Sequence, residues 1–174
     1  MKNCRFALKK WIPVLMAGAL MTVGAQSALG QSTATANATA GIASALTIVK
    51  VTDLQFGMFV SGIGGNVVVS TSGTRTSAGP IPLTLSANPV GAASFTVTGG
   101  ANYVYTISLP TTISIAGPTG STMVVNQFTT NPTATGTLSA GGTSVITVGA
   151  TLQISGNQVP GAYTGTFTVT VNYQ

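Results

Sequence analysis

The sequence predicts an all-β protein, an antiparallel β-sandwich with immunoglobulin-like or Greek-key connections. Three observations carry this. Beyond residue 30 the chain is dominated by Thr, Gly, Ala, Ser and Val, with few of the Glu, Lys, Leu and Arg residues that fill helices. Two C-terminal segments alternate apolar and polar residues with period two. Gly/Pro/Asn turn clusters recur about every 8 to 12 residues, the spacing of a sandwich or barrel. A transmembrane barrel shares the alternation but needs aromatic girdles at both strand ends. The nine Phe and Tyr residues beyond position 30 are scattered instead.

Residues 1–30 read as a secretory signal peptide. Lys2, Arg5, Lys9 and Lys10 make the basic start, Trp11 to Val23 the apolar stretch, and small residues precede the cut. Cleavage is expected after Ala28-Leu29-Gly30, with Val23-Gly24-Ala25 as the alternative. The apolar stretch falls short of the roughly 20 residues of a spanning helix, and no later segment could span a membrane as a helix. Cys4, the single cysteine, lies in the basic region, which argues against lipidation and leaves the mature chain without a disulfide. Export places the protein in the periplasm, at the cell surface or outside the cell.

Residues 31–45 follow as a flexible leader or weak edge strand, since STATANATA over Ser32 to Ala40 offers little apolar area on either face. Residues 46–174 read as one domain. Strands are expected over Leu46 to Thr52, Leu54 to Val60, Val67 to Ser70, Ile81 to Leu85, Ser94 to Thr98, Tyr103 to Leu109, Thr111 to Ile115, Thr122 to Phe128 and Thr135 to Ser139. Gly62 to Asn66, Gly79-Pro80, Asn88-Pro89, Gly99 to Asn102, Gly117-Pro118 and Gly141-Gly142 separate most of them as turns. Val145 to Ser155 puts Ile146, Val148, Ala150, Leu152 and Ile154 on one face. Tyr163 to Tyr173 puts Tyr163, Phe167, Val169, Val171 and Tyr173 on one face. The short turn-rich link between these two predicts that they are antiparallel neighbours.

The chemistry that is missing narrows the function. With the signal removed, Lys50, Arg75 and Asp53 are the charged side chains, two cations against one anion. Counterion release on nucleic acid needs clustered cations, so nucleic-acid binding is excluded. General acid–base catalysis needs a titratable group at the reacting atom, and the mature chain has no His, Glu or Cys. A serine nucleophile lacks a base other than Lys50, which reads as a solvated charge beside Asp53. Metal ligands are lacking by the same inventory, and Gly62 to Gly65 without a phosphate-loop lysine reads as a hairpin loop. No enzyme, cofactor or metal site is expected. Arg75 reads as an exposed strand residue that adds solubility.

Several motifs then carry a resemblance: Asp53-Leu54-Gln55-Phe56-Gly57, Ser72-Gly73-Thr74-Arg75, Ala93 to Gly99 (ASFTVTG), Tyr105-Thr106-Ile107, and the ending Pro160 to Tyr173 (PGAYTGTFTVTVNY). Over nearly all of the mature chain they resemble a family of uncharacterised secreted bacterial β-domains, similar to pilin-like fimbrial subunits of the Mat/Ecp common-pilus and spore-coat-U-like types. Chaperone-usher pilins often place a glycine fourteenth from the C-terminus and an aromatic next to last, the positions of Gly161 and Tyr173.

The resemblance implies a non-catalytic structural subunit or surface adhesion component that associates by β-strand pairing, with itself as homopolymer and a periplasmic assembly chaperone as partners. Ile42, Leu46, Ile48, Gly161, Phe167, Val169, Val171 and Tyr173 are then the candidate subunit-contact residues. Ala34, Ala36, Ala38 and Ala40 are smaller than the bulky residues such an extension carries. Leu46 and Ile48 serve either the extension or the domain's own first strand. The alternative function is a monomeric binding module, for carbohydrate for example, with Tyr103 on an exposed loop; Tyr103 and Tyr105 more often belong to a core.

Overall fold

Apolar faces written with period two must be stacked against one another, and the chain does this with strands alone. The computed structural model describes residues 32–60, 62–83 and 89–174. The expected signal peptide and part of the strand expected over Ile81 to Leu85 lie outside these. Residues 32–39 are exposed and without regular structure, and Ala40–Gln174 forms a unit of its own. Twelve strands are described: β1 Thr47–Thr52, β2 Gln55–Phe56, β3 Gly65–Val69, β4 Arg75–Ala78, β5 Val90–Gly91, β6 Ala93–Thr98, β7 Val104–Ser108, β8 Thr112–Ala116, β9 Thr122–Asn131, β10 Thr135–Thr137, β11 Thr143–Ile154 and β12 Thr170–Tyr173. All pairings among them are antiparallel. A single 3-10 turn, Pro118–Gly120, interrupts them.

β11 organises the larger sheet. Thr147 pairs with both Ser94 and Asn131, and Leu152 with both Val67 and Val125, so β6 and β3 share one edge of β11 while β9 takes the other. β1 extends the sheet beyond β6, β4 beyond β3, and β8 beyond β9. The smaller sheet is β10-β7-β12, and β2-β5 is a two-stranded fragment. Ile146, Val148, Ala150, Leu152 and Ile154 are all buried, as the alternation over this segment predicts. Ile146 and Val148 pack with Val97, Tyr105, Leu138 and Val169, which unites the two sheets. Leu152 and Ile154 pack with Val67, Met123 and Val125 of the larger sheet and with Ile81 outside it. Leu54 and Phe128 touch both clusters.

Lengths explain the asymmetry. At about 3.4 Å per residue the 12 residues of β11 reach about 40 Å, whereas the 5 residues of β7 reach about 17 Å. The second layer therefore covers the first half of β11 and leaves the second half to other segments.

Several expectations are corrected. β11 and β12 are not neighbours but lie in different sheets; each has one apolar face, and stacking buries both faces where edge pairing would not. The strand expected over Leu54 to Val60 shrinks to Gln55–Phe56 and a lone bridge from Phe59 to Leu83, because Gly57 turns the backbone to φ +72°. Gly65 and Asn66 of the expected turn belong to β3. The C-terminal segment keeps its alternating burial from Tyr163 to Tyr173, yet it is laddered only over Thr170–Tyr173, with a bridge from Thr164 to Ala116. Thr170 pairs with Ser108, and continuing that register sets Thr168 opposite Pro110, which has no N–H to give. β4 and β5, of 4 and 2 residues, were too short to leave a periodic signal.

Gly149 sits where the edge of β11 passes from β6 to β3. A Cβ there would lie against the Val69 carbonyl, 2.7 Å from Ser70 C and 2.8 Å from Thr71 N, all backbone atoms that cannot swing aside. Gly149→Ala is expected to lower the unfolding free energy by about 1–3 kcal/mol. Gly91→Ala, where a Cβ meets nothing within 4 Å, should stay within about 0.5 kcal/mol. Urea unfolding of both variants measures the difference.

Candidate functional site

Over the half of β11 that the second layer leaves uncovered runs an open groove of about 920 Å³. Its floor is apolar because the inward faces of β8, β9 and β11 supply it: Ile113 and Ile115, Met123 and Val125, and Leu152. One wall is the chain leaving β1, with Leu54, Phe56 and Phe59, flanked by Phe95. The opposite wall is the run from Gln158 to Phe167 that climbs from one sheet to the other. Charge is confined to the rim, where Lys50 Nζ meets Asp53 Oδ1 at 2.7 Å with both side chains more than half exposed. Solvent screening leaves such a pair little weight.

The second wall is held by one hydroxyl. Tyr163 Oη donates to the Val159 carbonyl at 2.8 Å, accepts from Gln158 Nε2 at 2.8 Å and lies 2.8 Å from Ser121 Oγ. Gln158, itself buried, also donates to the Thr122 carbonyl at 3.1 Å. Gly117 has no Cβ to obstruct the Tyr163 ring, and Gly161, at φ +149°, rests against the Pro118 ring. The loop after β11 is thereby tied to the turn between β8 and β9.

Beyond this tie the wall becomes a bare strand. No main-chain hydrogen bond of Gly165 to Val169 is found among the described residues, although Phe167 and Val169 turn inward. Phe167 packs edge-on to Phe95 with centroids 6.2 Å apart and tilted to Phe128 at 5.2 Å. β12 continues as an edge, paired with β7 on one side. Across the groove β1 pairs with β6 alone. The site thus joins an apolar trough to unpaired backbone, the two things an extended peptide needs from an acceptor.

The candidate subunit-contact residues divide. Gly161 and Phe167 line the groove. Ile42 is fully exposed. Leu46, Ile48, Val169, Val171 and Tyr173 pack into the domain's own core, so Leu46 and Ile48 serve its first strand. Tyr173 Oη donates to the Ser44 carbonyl at 2.8 Å and accepts from Gly100 N at 2.7 Å, which pins the chain just before β1. Tyr105 is wholly buried and donates to Ser144 Oγ at 2.8 Å, while Tyr103 is half exposed and meets Tyr173 edge-on at 5.5 Å.

The reading of Arg75 as an exposed, solubilising residue is overturned. Its side chain is partly buried, and Nη1 donates to the carbonyls of Phe56 and Met58 at 3.0 Å each. Two of the motifs quoted above, Asp53 to Gly57 and Ser72 to Arg75, therefore meet in space. Phe56, Phe59 and Phe95 were missed as groove walls because aromatics in short strands read as core.

A family model described as a domain of unknown function, DUF4402, matches residues 46–173. No curated protein and no solved structure matches the chain.

Tyr163→Phe removes the hydroxyl while keeping the ring. It leaves the Val159 carbonyl and one donor of Gln158 without that partner, a loss of about 1–2 kcal/mol. Urea unfolding is expected to record it, together with faster amide exchange over residues 158–164 than in the unmodified protein.

Proposed function

The chain belongs to the DUF4402 family, whose description assigns no activity, and from the groove we propose that it is a non-catalytic structural subunit of a fimbrial or adhesive surface assembly that associates by β-strand addition. The observation that carries the reading is the coincidence of the open apolar groove with Gly165 to Phe167 along its wall, a stretch for which no main-chain hydrogen bond is found among the described residues. The pilin-like resemblance of the ending, with Gly161 at the groove and Tyr173 next to last, supports it. Export by residues 1–30 belongs to the same proposal. Before assembly a periplasmic chaperone would cover the trough with a strand of its own.

The entering strand is the leader of another copy. Residues 32–45 are exposed in their own chain, yet Thr33 to Ala40 alternates Thr or Asn with Ala, which is the code of a strand with one small apolar face. The groove walls already carry Phe56, Phe59, Phe95, Tyr163 and Phe167. Small residues opposite large ones interdigitate, so the alanines suit this trough better than bulky residues would. Each methyl buried adds about 0.8 kcal/mol, and Ile42 about 2 kcal/mol. Main-chain bonds add about 0.5–1.5 kcal/mol each. A head-to-tail contact of this kind does not close on itself and propagates as a fibre.

The test compares the protein beginning at Gln31 with a variant that lacks residues 32–40 but keeps Ser44 for Tyr173. Light scattering after size exclusion and negative-stain microscopy are expected to show linear polymers of the first and monomers of the second. Ile42→Ala should weaken assembly about thirtyfold. A lasting monomer of the intact protein, or equal assembly without residues 32–40, would contradict the proposal.

A further inference from the structure

The wall formed by Leu54 to Phe59 is held very differently from the rest of the domain. Its own ladder is the two residue pairs of β2 with β5, Gln55 with Gly91 and Phe56 with Val90, plus the single bridge from Phe59 to Leu83. Between those anchors Gly57 reverses the backbone at φ +72°. The reversal brings the carbonyls of Phe56 and Met58 onto one nitrogen, Nη1 of Arg75, at 3.0 Å each. Arg75 comes from β4, which is bound to β3 in the larger sheet through the pair of Val69 with Arg75. A Cβ at Gly57 would collide with that same nitrogen and with Val90 Cγ2, so glycine and guanidinium are matched.

We infer that Arg75 is the positioning residue of the groove: from the sheet edge it fixes the rim loop, and through it the aromatic wall of Phe56 and Phe59 against which an added strand packs. The chemistry fits the task. A guanidinium stays charged at any working pH and offers several donors in a fixed plane, and hydrogen bonds from a charged donor are stronger than neutral ones. Lysine would bring the charge as a single flexible point and could not hold both carbonyls in one geometry. The lone cation of β4 thus sets the width of a site to which it contributes no packing surface.

This inference rests on the strand-acceptor reading, and its test separates the two. Amide exchange over residues 55–60 is measured in the monomeric domain lacking residues 32–40, for the parent, Arg75→Ala, Arg75→Lys and a control on the same strand, Thr76→Ala, which is exposed and outside the groove lining. Binding of a synthetic peptide spanning residues 32–46 is measured on the same four proteins. Exchange at the rim should rise about tenfold or more in Arg75→Ala and less in Arg75→Lys, with amides of β11 unchanged. Peptide affinity should fall about tenfold in Arg75→Ala and stay level in Thr76→Ala.

If the parent binds no peptide while rim exchange still rises in the arginine variants, strand acceptance fails and Arg75 remains the holder of the rim. Unchanged rim exchange, or Thr76→Ala matching Arg75→Ala in both readouts, overturns the inference. Should Arg75→Ala not fold, the parent, Arg75→Lys and Thr76→Ala decide by the same criteria.

Discussion

The structure depends on one strand that is longer than the layer laid over it. β11 is paired along both edges, first with β6 and then with β3 on one side and with β9 on the other. Packing against its apolar face buries that face from Ile146 to Ile154, and Thr151 on the other face is buried as well. The strands that stack on it are three to five residues long. Two sheets bury their faces completely only where they overlap, so with this mismatch in length the buried face of β11 beyond the overlap is covered by Ile81 and by segments such as Leu54 to Phe59 and Tyr163 rather than by a second sheet. The groove is the geometric remainder of that mismatch, and its apolar floor follows from the same alternation that builds the core.

What walls the groove is held by polar contacts to main chain rather than by sheet ladders. Arg75 grips two carbonyls at the rim, and Tyr163 and Gln158 tie the loop after β11 to the turn before β9. Tyr173 pins the chain at Ser44. Each of these side chains anchors a segment that lacks room for a ladder, so the domain keeps a trough in shape without closing it. A chain with three charged side chains beyond residue 30 has placed one of them at such an anchor, and the other two form an exposed pair at the same rim.

Legibility followed periodicity. The face of β11 was readable residue by residue, as was the strand at Thr111 to Ile115, whose burial alternates; the strands at Leu46 to Thr52, Ser94 to Thr98 and Tyr103 to Leu109 were readable as elements, although their burial does not strictly alternate. The C-terminal alternation was also readable, but not that its backbone would go unpaired, since this depends on Pro110 arriving opposite it from a distant strand. Partner choice was equally out of reach: β11 and the C-terminal segment looked like a hairpin and prove to be stacked. Of the residues expected at subunit contacts, Gly161 and Phe167 line the groove, whereas Leu46, Ile48, Val169, Val171 and Tyr173 pack into the core, as Phe167 also does. Arg75 was misread because a lone arginine in a Thr-rich segment carries no local sign of carbonyls 17 and 19 residues earlier in the chain.

The central claim is that the backbone from Gly165 to Val169 stands open beside an apolar groove until a strand pairs with it. Residue-resolved amide hydrogen exchange tests this most directly, on the domain lacking residues 32–40 before and after addition of the peptide spanning residues 32–46. Fast exchange at Gly165 to Val169 beside slow exchange in β11, with protection appearing once the peptide is bound, is the predicted result. Protection already present in the unbound domain, or binding that leaves these amides as they were, would contradict it.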